Sequence, residues 1–234
     1  MQLITMLKSL GRALQHCPEY TRYVIAEIFT QIIYKPYKFS EFGRNFLYDA
    51  KFIRYYDKLA GANNYRSFDR KYTLDQLMQL VIYVPGDTVE CGAYQGASSF
   101  LICRRIAGLK KKHHIFDSFE GLSVPSAEDG SYWAKGDLSV GEHIIRENLK
   151  PFDFTVYHKG WIPDKFDNVK DNTFSFVHLD VDLYQPTLDS LCFFYPKINA
   201  GGIILCDDYG FSTCPGAKMA MDTFFSDKMK ELSI

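Results

Sequence analysis

From Gly86 onwards the chain alternates short apolar runs with amphipathic stretches. DTVECGAY, HHIFDSF, FTVYHKGW, FSFVHLDVD and GGIILCDDY are short, rich in β-branched and aromatic residues and bounded by polar or glycine-containing clusters, the pattern of strands. Between them, GASSFLICRRIAGLK, SVGEHIIRENL and PTLDSLCFFYPKI carry apolar residues at helical spacing. Gly108 stands near the end of the first helix, and Ser139 with Glu142 has capping-box spacing at the start of the second. Repeated strand–helix–strand alternation predicts an α/β fold with a doubly wound, mostly parallel sheet.

Upstream the period is helical. Leu3, Met6, Leu7 and Leu10, then Val24, Ile25, Ile28, Phe29 and Ile32, mark two helices, separated at Pro18 because proline disfavours helix at the residue before it. A basic amphipathic start can lie on a membrane surface, but packing on its own domain or on a partner subunit is the stronger expectation. Residues 35–72 read as an aromatic-rich connector with short helices, and TLDQLMQLVIYV as a helix with Thr73 at its N-cap. The expected division is a helical N-terminal arm or lid over 1–70 and the main domain over 71–234. The apolar face of the arm predicts a homodimer.

The bulk numbers narrow the function class. At 234 residues and 47% hydrophobic, the chain can bury one sizeable α/β core. A formal net charge of −1 gives no reason to expect nucleic acid as partner. Among six cysteines none forms C-x-x-C, and Cys91, Cys192 and Cys206 lie in apolar runs, as buried free thiols in a reducing compartment do. No apolar run reaches bilayer length, and the first residues lack a secretory h-region, so no transmembrane segment and a cytoplasmic location are expected.

Candidate chemistry sits at the strand ends. HLDVDLYQPT closes one strand with Asp180 and Asp182, and GGIILCDDYG closes the next with Asp207 and Asp208. Asp180 and Asp207 are 27 residues apart, close to one βαβ unit of about thirty. Parallel neighbours end on the same sheet edge, where ligands of open α/β sheets bind. Bare carboxylates crowded there repel. The neighbouring sequence offers no arginine or lysine to compensate, so a hard divalent cation such as Mg2+ is expected. Period-two alternation puts His178, Asp180 and Asp182 on one face.

The first strand ends at Glu90 and turns through Gly92 and Gly96, which let a ligand approach the backbone. It is not G-x-G-x-x-G, and no G-K-[ST] follows for nucleotide phosphates. Asp117 closes the next strand, a position from which an acid can bond ribose hydroxyls. Acids around a ribose without a phosphate cradle suit S-adenosylmethionine, whose sulfonium and ammonium prefer acidic surroundings.

GDTVECGAYQGASS, IFDSFEGL, HLDVDLYQPTLDSLCFFYPKINAGGIILCDDYG and CPGAKMAMDTFF, in that order over roughly residues 70–226, resemble the TylF/MycF family of macrocin-type, metal-dependent sugar O-methyltransferases. The resemblance implies a Rossmann-like class I methyltransferase sheet. Glu90, Cys91, Gly92, Ala93 and Tyr94, with Gly96 and Ser99 in the same turn, would serve the S-adenosylmethionine pocket. Asp117, Ser118, Phe119 and Gly121 would line it too, and Ser139, Gly160 and Trp161 would approach the adenine. Asp180, Asp207 and Asp208 match the magnesium ligands, and Asp180 also the base and a cofactor-binding position. Gln95, Ala97 and Ser123 depart from the family pattern, and relatives tend to continue into a last strand beyond AKMAMDTFF.

The implied reaction moves a methyl group from S-adenosylmethionine to a hydroxyl of a sugar, glycan or other small molecule. Metal coordination lowers the hydroxyl pKa. Asp180 can take the proton; His178 is the alternative base, with a pKa better suited to the task. Asp180-x-Asp182 is also the D-x-D with which many glycosyltransferases hold a metal and a sugar nucleotide, a second reading that leaves Glu90 and Asp117 unexplained. The polar stretch from Leu122 to Ser139 reads as a lid carrying Trp133.

Overall fold

The computed structural model describes residues 18–33, 48–59 and 68–228. Two compact units divide the chain, Met1–Tyr48 and Asp49–Ile234, a boundary different from the expected 70/71. In the first, helix α1 (Pro18–Ile33) begins on the proline, whose missing N–H is no loss at a first helical position. Ile25, Phe29, Ile32 and Ile33 on this helix are exposed. The expected helix over the first residues lies outside the described ones. None of the described helices is long and apolar enough to cross a membrane.

The second unit opens with α2 (Ala50–Leu59). Asp49 caps it, its Oδ1 accepting from the Phe52 and Lys51 amides at 2.9 and 3.0 Å. Its buried face carries Phe52, Tyr55 and Tyr56. Phe52 meets Tyr72 edge-on at 5.1 Å, and Tyr55 stacks on Phe100 at 5.3 Å. Helix α3 (Phe68–Val81) starts earlier than expected, so Thr73 is interior rather than a cap; the aromatic packing of Phe68 and Tyr72 extends the helix past the local capping signal.

All five expected strands form: β1 (Asp87–Cys91), β2 (His113–Asp117), β3 (Thr155–Lys159), β4 (Phe174–Leu179) and β5 (Ile198–Cys206). They pair in parallel, in the order β3-β2-β1-β4-β5. Helices α4 (Ala97–Ile106), α5 (Glu142–Asn148), α6 (Tyr184–Phe194) and α7 (Pro215–Phe224) complete the unit. Ala93, Ile115, Ile145 and Leu149 make one hydrophobic cluster. Val89, Phe116, Phe174, Val177, Leu179, Leu191 and Phe194 make a larger one that takes in Met221 and Phe224 of α7. Successive crossovers therefore bury their apolar stripes on both sides of the sheet, and the strand order reverses between β1 and β4. Ligands of this architecture sit at the C-terminal ends of those strands.

Two local expectations fail for identifiable reasons. The Ser139–Glu142 capping box does not form, because α5 starts at Glu142 with Gly141 at its N-cap and no side-chain bond there. Cys192 is exposed, since α6 buries Thr187, Ser190, Leu191 and Phe194 on the other face. Cys91 and Cys103 are buried free thiols.

Candidate active site

β4 delivers Leu179 to the sheet edge, and the backbone then leaves the ladder. The Asp180 amide still donates to Cys91 O at 2.9 Å, and the Asp207 amide to Leu179 O at 2.8 Å. Asp182 has φ 60°, so strand alternation carries from His178 to Asp180 and stops there. This turn directs the Asp182 amide onto Asp208 Oδ2 at 2.9 Å. Asp180, Asp207 and Asp208 each present an oxygen within 4.8 Å of the others. The convergence expected at the ends of β4 and β5 is present.

Positive partners are present as well, contrary to the sequence reading, and they come from α3, more than a hundred residues away. Arg70 Nη1 donates to Asp207 Oδ2, and the guanidinium sits 4.6 Å over the Phe211 ring. Lys71 is buried; its Nζ lies 2.5 Å from Ser98 Oγ, 3.4 Å from Asp180 Oδ2 and 3.7 Å from Asp207 Oδ2. Asp75, one turn further along α3 and fully buried, holds Arg104 and Arg105 of α4, with Arg104 Nη2 at 2.7 Å and Arg105 Nε at 2.8 Å from Oδ1. This clamp fixes α3 against α4 and thereby aims Arg70 and Lys71 at the strand ends.

His178 lies beneath this cluster and is fully buried. Its Nδ1 is 2.8 Å from Glu90 Oε1, while Nε2 has no hydrogen-bond partner and faces Asp207 Oδ1 at 3.7 Å. Burial opposes a charge on the ring, but Asp207 and Glu90 on its two sides outweigh it and raise the pKa to about 10. The ring is fully buried and is not among the residues that line the cavity, a position away from an acceptor hydroxyl bound there. Glu90 is buried too, bonded to Ser99 and His178. It forms the floor rather than the lining.

Burial, then the Asp207 charge, push the Asp180 carboxyl up, while Lys71, His178 and Arg70 oppose the shift. Asp208 is raised well above the ordinary range by burial and by Asp180, Asp182 and Asp207. Asp207 is held below it: burial works against its charge, but Lys71, His178 and Arg70 prevail. Among the described residues, Glu90, Asp180, Asp182, Asp207 and Asp208 thus face Arg70, Lys71 and His178 as cations. The surplus negative charge and the all-oxygen donor set fit a hard divalent cation, which Asp180, Asp207 and Asp208 could hold.

The other end of the cleft is built from the β1 and β2 turns. Gly92 has φ 78°, and a Cβ there would collide with the Asp180 carbonyl, so only glycine lets the two strand ends approach this closely. Asp117 accepts from the amides of Ala93 at 2.8 Å, Tyr94 at 3.2 Å and Phe119 at 2.7 Å. Ser118 Oγ donates to Gly121 O at 2.9 Å.

A cavity of about 340 Å³ joins the two ends. Of the expected cofactor residues, Gly92, Tyr94, Asp117 and Ser118 line it, as do Gly121, Gly160 and Trp161. The carboxylates Asp180, Asp207 and Asp208 line it as well. Outside the lining are Cys91 and Ser99, both fully buried, Ala93 and Phe119, nearly so, Gly96, packed near Ile145, and Ser139, exposed.

Residues 122–139 are folded against this cavity. Leu122 and Asp137 close the neck, the Leu122 amide donating to Asp137 O at 2.8 Å. Buried Asp129 accepts from Ser126 and, through Oδ1, from the Tyr184 amide at 2.6 Å at the start of α6. Trp133 Nε1 is 3.5 Å from Cys214 Sγ, which in turn is 3.4 Å from Asp182 Oδ1. Leu122, Tyr132, Trp133 and Leu138 line the cavity from this segment. Arg70, Lys71, Phe211 and Thr213 are lining residues that sequence reasoning missed. Ser126-x-x-Asp129, a capping-box pattern, was the available signal for how the segment is anchored.

Comparison with known proteins agrees with this arrangement. A demethyldecarbamoylnovobiocin O-methyltransferase from Streptomyces niveus is 30% identical over 60% of this chain and 58% of its own length. A tetracenomycin-type rhamnosyl 4'-O-methyltransferase from Streptomyces olivaceus is 28% identical, covering 57% of each. The chain therefore spans less than two thirds of the length of these relatives. The solved structure of the O-methyltransferase NovP superposes with a TM-score of 0.59 at 28% identity, over 71% of this chain and 75% of that one. CalS11, a calicheamicin methyltransferase, gives 0.61 at 17% identity, over 94% and 83%, and shares the fold. None of these similarities favours the D-x-D glycosyltransferase reading. Residues 67–231 match the macrocin O-methyltransferase (TylF) family, and the chain belongs to that family.

Proposed function

We propose that the protein is an O-methyltransferase that moves the methyl group of S-adenosylmethionine to a hydroxyl of a sugar or glycosylated small molecule, with Mg2+ at Asp180, Asp207 and Asp208. The observation that carries this reading is the continuity of one cavity from the Gly92–Asp117 turn to the carboxylates of β4 and β5. Donor and acceptor sites must adjoin for an in-line transfer. Names of relatives that act on sugar-bearing molecules support the acceptor class.

The residues divide the work by position. Asp117, with three backbone donors on its carboxylate, fixes the turn against which the donor nucleoside rests. Trp161 and Tyr94 wall that end. A magnesium ion, when bound, supplies Lewis-acid acidification of the acceptor hydroxyl. Asp180, the most accessible carboxylate of the set, accepts the hydroxyl proton. Lys71 orients its carboxylate. Leu122, Trp133 and Leu138 restrict water access. Incubating the protein with S-adenosylmethionine, magnesium and a panel of deoxysugar glycosides, with S-adenosylhomocysteine release as readout, tests the reading. Release confined to glycoside acceptors supports it; none with any acceptor, despite cofactor binding, counts against the sugar class.

A further inference from the structure

Arg70 holds one oxygen of a carboxylate that the proposed cation would use. Its guanidinium donates to Asp207 Oδ2, and Asp207 is one of the three carboxylates whose oxygens converge within 4.8 Å. The same guanidinium also lies over the Phe211 ring at 4.6 Å, so Arg70 meets the carboxylate and the aromatic face together at the rim of the cleft. Lys71 differs. It is buried, tied to Ser98 at 2.5 Å, and shares its charge between Asp180 and Asp207 at 3.4 and 3.7 Å. Lys71 is therefore an enclosed counter-charge, whereas Arg70, its side chain 24% exposed, is the more solvent-accessible of the two cations.

We infer that Arg70 is an internal counter-cation: it neutralises Asp207 in the metal-free protein and competes with the divalent cation for that carboxylate. The inference rests on the metal reading above. Its physical basis is that crowded carboxylates repel unless a positive charge compensates, and that a planar, weakly hydrated guanidinium supplies that charge while holding an oxygen that a cation could otherwise take. The consequence is a protein that stays folded without metal and binds it more weakly than its carboxylates alone would allow. Arg70 is a positioning residue in this role.

The test is manganese(II) binding, a paramagnetic stand-in for magnesium, followed by electron paramagnetic resonance of free Mn2+ without substrate. Wild type, Arg70→Ala, Arg70→Lys and Asp208→Asn are compared, with circular dichroism confirming fold; Arg70→Gln replaces the alanine variant should that one not fold. Loss of one charge-assisted bond predicts affinity tightened at least about tenfold in Arg70→Ala, near wild type in Arg70→Lys and lost in Asp208→Asn. Binding by Arg70→Ala alone also supports the inference. Wild-type binding with unchanged or weakened affinity in Arg70→Ala overturns it and leaves the metal reading standing. Failure of every folded variant to bind Mn2+ removes the metal reading and the inference together.

Discussion

The two ends of the cleft solve opposite problems. At β1 and β2 a single carboxylate, Asp117, is matched by three backbone amides, so its turn is pre-organised. At β4 and β5 the carboxylates outnumber their partners, and Asp182 and Asp208 are driven up by burial and by the charges of Asp180 and Asp207, Asp182 to about 7. A satisfied site holds shape; an unsatisfied one holds potential for charge. The first suits recognition of a donor nucleoside, the second the handling of a cation and a proton.

Each half can be broken separately. Asp180→Asn should lower methyl transfer about 10²–10⁴-fold with S-adenosylmethionine affinity retained, read by steady-state rates and calorimetry. Loss of cofactor affinity in that variant would merge the two ends. Asp117→Ala frees three amides and should weaken S-adenosylmethionine about ten- to hundredfold, leaving Mn2+ binding unchanged. Asp75→Ala should cost about 2–3 kcal/mol in urea unfolding, because a buried carboxylate is lost while its half-exposed arginines regain water; it should also slow transfer by loosening α3.

The remaining effect is a pH slope. Burial lowers the His113 pKa to about 4, against the pull of Glu90. The unfolded chain, with an ordinary histidine near 6.5, then binds more protons than the folded one between those values. Stability from this group is complete above about 6.5 and falls as pH drops towards 4. His113→Gln should flatten that part of the profile in urea midpoints; an unchanged slope would assign it to other groups.

The sheet was legible because its information is local. Each strand announces itself within one run, and a crossover of 27 residues between Asp180 and Asp207 makes the acidic convergence a matter of topology. The counter-charges were not legible, because Arg70 and Lys71 lie in an aromatic-rich stretch and meet Asp207 only through the packing of α3 on α4. Similarly, Glu90 and His178 read as site residues from their strand positions. Only the three-dimensional pairing of Ser99, Glu90 and His178 shows that they form a buried support under the cleft. Thr73 and Ser139 carried correct capping chemistry at positions where tertiary packing set the helix starts elsewhere.

The central claim is that one cleft takes S-adenosylmethionine at its satisfied end. Calorimetric titration of S-adenosylmethionine into the wild type and Asp117→Ala, with and without magnesium, tests it most directly. The expected result is micromolar binding that is sharply weakened by Asp117→Ala and present in either metal condition. No binding by folded wild-type protein, or binding untouched by Asp117→Ala, would contradict it.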